Sequence, residues 1–312
     1  MRNIDKSEIE IRIVIMNTIE KEILKKLRCK LLQTSSLTEA EFMKEAEAST
    51  SNCIYYLRDF KDNIKTCKNR LNDYSNKDKK PNRWDVIPMA ALRSSAALTY
   101  NIFGDNDKCS LKLDASDVLK NLDLISGNYW LQYEWKHRTI NNAKANLDAY
   151  LHLENYHLFV EMKMLEPLTK SHPFDQEAYE KYTDEKNCPS KFISAFKFFK
   201  THKPEYYDAF QMLKHLLAIY NYFKERSFDK CQYVVLLNCH WEPKDQTVGD
   251  ISLEKIYKKF GETAALFEGM QICFQELFNK VNVNLILAHC DHRELIKIVG
   301  KGNDKYLERY EI

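Results

Sequence analysis

The sequence predicts an α/β protein in which a mixed central β-sheet is flanked by helices and preceded by an N-terminal helical extension. Three observations carry this reading. Apolar residues recur at four-residue spacing near the start of the chain, and close to Tyr129 the period drops towards two. From there strand-like runs give way to helix, strand, helix and strand, an order that builds one sheet with helices on its faces.

Taken in order, Ile11, Ile15, Ile19, Ile23 and Leu27 mark the first helix, and Ile4 lies seven before Ile11. Ser36 with Glu39 has the spacing of a capping box, which predicts a second helix running towards Lys65. The polar, basic run Asn76–Arg83 reads as a loop. A short helix is expected from about Pro88 to Phe103, stopped by Gly104. Strands are expected over Tyr129–Lys136, Ala145–Leu153 and His157–Leu165. A long helix follows from Pro204, with proline suited to a first turn, to Arg226. The remainder reads as a strand at Tyr233–Asn238, a helix near Leu253–Lys280, a strand at Val283–Ala288 and a short closing helix.

Composition narrows the function. A length of 312 residues suffices for a sizeable core, and 44% apolar with 29% charged residues is an ordinary globular balance. No run approaches the roughly 20 apolar residues of a membrane span, and charges interrupt every apolar run between Arg2 and Lys30 where a signal peptide would lie. A cytoplasmic protein without a membrane partner is the expectation. The nine cysteines are odd in number and form no Cys-x-x-Cys pair, so reduced thiols are expected. His289-Cys290-Asp291-His292 contains metal-ligand residue types at a spacing that matches no zinc site; it reads as a strand end entering a helix. Glycine-rich phosphate loops are absent, which argues against nucleotide hydrolysis and dinucleotide chemistry. A net charge of +2 argues against binding nucleic acid by bulk charge, although a local cleft would not show in the sum.

The chemistry concentrates in one hairpin. Leu158, Val160, Met162 and Met164 alternate with Phe159, Glu161 and Lys163, which sets Glu161 and Lys163 on one face. In the preceding run Leu147, Ala149, Leu151 and Leu153 are expected on the apolar face, with Asp148 on the other beside Asn146 and His152. A turn centred between Glu154 and Asn155 makes Asp148 and Glu161 equidistant from its midpoint, hence opposed across the strands, with Cβ atoms about 4.5–5.5 Å apart. Two carboxylates that close repel unless a cation lies between them, and oxygen ligands suit Mg²⁺ or Mn²⁺. Lys163 points the same way, where a lysine can orient the attacking water, help deprotonate it or stabilise charge on a phosphate. An ordinary amphipathic hairpin with solvent-facing charges is the competing account. The combination of Asp, Glu-x-Lys and a plausible register raises a metal-dependent nuclease to equal standing with that account.

Asp148, Glu161 and Lys163 resemble the signature of the PD-(D/E)XK nuclease superfamily. The fuller strings Asn146-Leu147-Asp148 and Glu161-Met162-Lys163-Met164-Leu165-Glu166-Pro167 resemble a group of bacterial restriction endonucleases. So do Ser94-Ser95 with Asn101-Ile102-Phe103-Gly104, the run Asp208–His215, and Tyr233–Pro243 ending in Trp241-Glu242-Pro243. The likeness covers about residues 90 to 245, and Leu147 stands where the superfamily's proline would be. The resemblance implies a restriction-endonuclease-like core over residues 84–312, after a helical extension over residues 1–83. It also implies a Mg²⁺-dependent endonuclease acting on double-stranded DNA in restriction or defence. In such enzymes the acids hold the metal and the lysine acts on the attacking water. Carried over, Asp148, Glu161 and the carbonyl of Met162 are ligands, Lys163 is the activator, and Glu134 is the upstream acid some members use. Glu166 is either a neighbour of the site or a cap for the following segment.

Ala209, Leu213, Leu216, Tyr220 and Phe223 form the buried stripe of the next helix. Gln211 and His215 lie one turn apart on another face, with Lys214 beside them. Turned to the cleft they would orient water or contact phosphate; turned away they are a boundary glutamine and a surface histidine. The resemblance favours the cleft. The Ser94-Ser95 pair reads as helix packing, since no histidine and acid accompany it. Two other functions stay open: a catalytically idle nucleic-acid-binding or assembly subunit, and an RNA nuclease. The N-terminal helices are open to three roles, a homodimer interface, a DNA-clamping arm, or packing on the sheet.

Overall fold

A computed structural model of the protein describes residues 6–42, 57, 63–64, 92, 94–141, 143–169, 180–184, 188–202, 204–248, 251–301 and 304–312. Helix α1 (Lys6–Thr34) opens the chain and α2 (Ser95–Phe103) precedes the sheet. The strands β1 (Lys108–Leu111), β2 (Gly127–Arg138), β3 (Lys144–Leu153) and β4 (Tyr156–Lys163) follow. A one-turn helix α3 (Glu166–Thr169) leads to α4 (Ser190–His202) and α5 (Ala209–Lys224). Strand β5 (Gln232–His240) and a small hairpin of β6 (Thr247–Val248) and β7 (Ile251–Ser252) come next. Helices α6 (Glu254–Gly269) and α7 (Gln271–Asn279), strand β8 (Val283–Asp291), and helices α8 (His292–Val299) and α9 (Lys305–Glu308) complete the chain.

Six strands form one mixed sheet in the order β1-β2-β3-β4-β5-β8. The first four run antiparallel to their neighbours, while β4, β5 and β8 are parallel. Both faces are covered, as parallel strands require. In β5, Val235 and Leu237 enter one core with residues of α1, α2 and α8, whereas Val234 and Leu236 enter a second core with α4, α5, α6 and α7. Ile19, Ile23, Leu24, Leu27 and Leu31 of α1 belong to the first core, where the helix packs against α3, α9 and β6. Each such side chain fully removed from water contributes about 1.5–3 kcal/mol.

The β3–β4 hairpin turns through Glu154 and Asn155, with Leu153 paired to Tyr156 and Ala149 to Val160. Glu154 takes a φ of 53°, which a two-residue hairpin turn requires. The expected single apolar face of β3 is corrected. Ala149 and Leu151 enter the first core, but Leu147 enters the second. The same reversal occurs on β2, where Tyr133 faces the first core and Trp135 the second. Between them Glu134 takes a φ of 50°, and the β2–β3 pairing skips the row that would join Glu134 to Asp148. A left-handed glutamate costs about 1–3 kcal/mol and exchanges the faces of both strands at one row.

Other elements differ from expectation in their ends. Helix α5 opens at Ala209, not Pro204: Tyr206 has a φ of 54°, and the Asp208 carboxylate caps the helix by accepting the Gln211 N–H at 2.9 Å. The last long helix breaks at Met270, just after Gly269. The capping box is Thr38 with Glu41, not Ser36 with Glu39, and it opens a single 3-10 turn whose end, Phe42, is extended and bridges to Leu57. A continuous helix towards Lys65 is therefore excluded at those two residues; most of that segment and the loop at 76–83 lie outside the described residues, as do residues 88–91 of the helix expected from Pro88. Gly104 does stop α2, with a φ of 86°. Strand β1 and helix α4 were not anticipated.

The outer edge of β8 is closed by glutamines of α7. Gln275 donates to the Val283 carbonyl and accepts from the Leu285 N–H, both at 2.9 Å, and Gln271 accepts from the Leu287 N–H at 2.9 Å. Among the described residues no helix is long and apolar enough to cross a membrane.

Candidate active site

Strand β3 leaves β4 just beyond the Ala149–Val160 pair. One further step would oppose Asp148 to Glu161, but here the strands part. The Asp148 carboxylate takes over the vacated ladder position, and its Oδ2 accepts the Met162 N–H at 2.7 Å. Burial, and then the negative charge of Glu161, push the Asp148 carboxyl well above the usual aspartate range.

Glu161 is almost fully buried on the face that α5 covers. Its Oε1 accepts from Lys163 Nζ at 2.7 Å and from Gln211 Nε2 at 2.8 Å. Its Oε2 lies 3.2 Å from His215 Nε2. Burial alone would raise this carboxyl, but the Lys163 ammonium and His215 overcome it and bring it down to about 2. Lys163 also donates to Gln211 Oε1 at 2.6 Å. Burial opposes its charge, yet Glu161 and then Glu166 hold its pKa above that of an ordinary lysine. Gln211 thus bridges the pair, accepting from the lysine and donating to the glutamate. Its place in the first turn of α5, fixed by the Asp208 cap, aims it at the end of β4.

The remaining expected residues divide. Glu134 accepts from Asn146, whose strand also carries Asp148, and burial raises its carboxyl, with the Glu161 charge adding to the rise. His215 is buried against Glu161 and is not a surface histidine. Lys214 points elsewhere, with its ammonium 5.7 Å from the centre of the Phe210 ring. Glu166 folds back to accept the Met164 N–H at 2.8 Å, so it caps the end of β4 and reaches Lys163 through its charge alone. Ser94 caps α2, accepting from the Ala97 N–H at 3.1 Å. Asp291 caps α8 in the same way, so the His289–His292 segment is a strand end entering a helix. Among the described residues no group of three or more His, Cys, Asp or Glu is arranged to hold a metal ion. What β3 and β4 do offer is a pair of neighbouring carboxylates, one held up by burial and by the other's charge, beside the carbonyl end of β4. That donor set fits a hard divalent cation, since Mg²⁺ commonly uses one or two carboxylates with waters and substrate phosphate.

Sequence reasoning passed over part of the surroundings. Asn238 is the register partner of Glu161, and His240 that of Lys163, at the carboxyl ends of parallel strands where ligands of open α/β sheets bind. Both are buried; Asn238 Oδ1 and His240 Nδ1 have no hydrogen-bond partner among the described residues, and the His240 ring lies tilted against Phe260, centres 4.6 Å apart. The signal was the abrupt change from Val-Val-Leu-Leu to Asn-Cys-His at the end of an otherwise apolar run.

A protein-family model described as "Restriction Endonuclease associating with ARP" matches residues 29–260, which include every residue of this site. No curated protein and no solved structure matches the chain.

Proposed function

The chain belongs to the family of restriction endonucleases associating with ARP, and on that premise we propose that it is a divalent-metal-dependent nuclease hydrolysing DNA phosphodiester bonds at a PD-(D/E)XK-type site. The observation that carries this reading is that Asp148 and Glu161 lie near enough for the charge of one to act on the other where β3 parts from β4, with Lys163 and Gln211 bound to the glutamate. Asp148, Glu161 and the Met162 carbonyl would hold the metal, Mg²⁺ or Mn²⁺. When bound, the cation supplies positive charge to the scissile phosphate and acidifies the attacking water.

The chain's own residues have separable tasks. Glu161 is kept ionised, so it is ready as a ligand without losing a proton. Lys163 is kept charged, which makes it a donor to a phosphate oxygen and a poor acceptor for the water's proton. Gln211 fixes the distance between these two groups, and the Asp148 bond to Met162 fixes the backbone whose carbonyl completes the donor set. Glu134, on the neighbouring strand and bonded to Asn146, would serve as the upstream acid.

The test is incubation of purified protein with double- and single-stranded DNA and RNA, in Mg²⁺, Mn²⁺ or EDTA, beside Asp148→Ala and Lys163→Ala. Metal-dependent cleavage of DNA that disappears in both variants supports the reading. Preference for RNA changes the substrate and keeps the chemistry. Metal-independent cleavage, or full activity in Lys163→Ala, sinks the mechanism.

A further inference from the structure

We propose that the outward face of the β2–β3 arm is a phosphate-binding strip for duplex DNA, with Lys136 and Lys144 as its contacts; this rests on the nuclease reading of the adjoining acids. Beyond Asp148, β3 no longer pairs with β4 but continues alongside β2 as far as the Arg138–Lys144 pair. One face of this two-stranded arm is buried in the second core through Trp135, Ala145 and Leu147, which fixes its orientation. The other face carries Lys136, Asn146 and Lys144, all exposed.

The geometry leads from the site outwards. Lys136 lies two residues beyond Glu134, and its cross-strand partner Asn146 lies two residues from Asp148. With a rise of about 3.3 Å per residue, the Lys136 row is about 7 Å from the acid row and Lys144 about 13 Å from Asp148. Neither lysine makes an ion pair among the described residues. Lys136 acts on Glu134 only through its field, and the Glu134 carboxylate is already bonded to Asn146. Arg138 is left out of the strip because its Nε donates to Glu225 Oε1 at 2.6 Å.

Charge decides the partner. Asp148, Glu161 and Glu134 repel a phosphate backbone, and a net charge of +2 provides little general attraction. Lys136 and Lys144, next to Glu134 on the open face of the arm, supply it locally. The strip offers ammonium groups, which attract phosphate without distinguishing bases, so it recognises backbone and not sequence.

The experiment is equilibrium binding of a fluorescein-labelled DNA duplex across a salt series, on the uncleaving Asp148→Ala background. It compares that protein with one further carrying Lys136→Ala and Lys144→Ala. A control carries Lys230→Ala and Lys280→Ala, which remove the same charge at the opposite end of β5 and β8. Removing two phosphate contacts lowers the slope of log affinity against log salt by about 1.8, uniformly across duplex sequences. The control is expected to keep the parent slope. The proposal is overturned if the arm variant keeps the parent slope, if the control falls as far, or if the parent binds no duplex. Cleavage by wild type with an unchanged arm slope would sink the strip alone and leave the nuclease reading standing.

Discussion

The Asp148 carboxylate accepts the Met162 N–H at 2.7 Å, which ties the residue that leaves the β3–β4 ladder to a strand that stays in the sheet through its pairing with β5. The two functions of this carboxylate can be separated. Asp148→Asn keeps an acceptor for Met162 and removes the charge, so it should abolish Mn²⁺ binding and cleavage while the fold stays at least as stable as metal-free wild type. Asp148→Ala also strands the amide, at a cost of about 1–3 kcal/mol. Urea unfolding with calorimetric Mn²⁺ titration measures both effects; equal stability of the two variants would deny the amide bond its role.

Lys163 and Glu161 form a buried ion pair at 2.7 Å, and removing one partner leaves the other charge uncompensated. Lys163→Met is predicted to destabilise the metal-free protein by about 3 kcal/mol, with His215 limiting the loss. Saturating Mn²⁺ should recover part of it, and Lys163→Arg should lose less. Denaturant midpoints with and without metal test this, and a Lys163→Met protein as stable as wild type without metal would contradict it.

Buried His157 lies between Tyr150, 2.8 Å from its Nδ1, and Gln232, 2.9 Å from its Nε2, and burial lowers its pKa to about 4. The unfolded chain binds the proton more tightly, at about pH 6.5. This residue's contribution is therefore complete above pH 6.5 and is lost as pH falls towards 4, to a total of roughly 3 kcal/mol. His157→Gln should flatten that part of the stability profile relative to wild type. Parallel profiles for the two proteins would show that His157 is not the group responsible.

Gln275 satisfies both a carbonyl and an amide on the outer edge of β8. Gln275→Ala is predicted to cost about 1–2 kcal/mol and to expose strand edge that favours association between copies. Light scattering against concentration, together with thermal melts, checks both parts; a monomeric variant with an unchanged melt would refute them.

Much of the fold was legible because β4, β5 and β8 write their periods plainly, and because a hairpin of fixed turn dictates its own register. Ala149 against Val160 follows from Glu154 and Asn155 alone. The face exchange at Glu134 and Asp148 was hidden, since a left-handed glutamate leaves no compositional mark and Leu147 looks like any other apolar strand residue. Helix α5 was placed too early because Pro204 signals a first turn, while the Tyr206 backbone conformation cannot be read from its neighbours. The spacing of Gln211 and His215 showed that they share a face; that the face meets Glu161 depends on how α5 crosses the sheet. Asn238 and His240 needed the parallel pairing of β4 with β5, which no local pattern contains.

The row of Glu134 and Asp148 belongs to neither core. On one side of it Tyr133 and Ala149 enter the packing around α1, α2 and α8, and on the other Trp135 and Leu147 enter that around α4 to α7. Its position is thus set by two cores on opposite faces of the sheet. A shift of one core against the other would reach this row, where the β2–β3 pairing is interrupted, and would alter the gap between Asp148 and Glu161. The carboxylates accordingly form a gauge of how the two cores sit on the sheet.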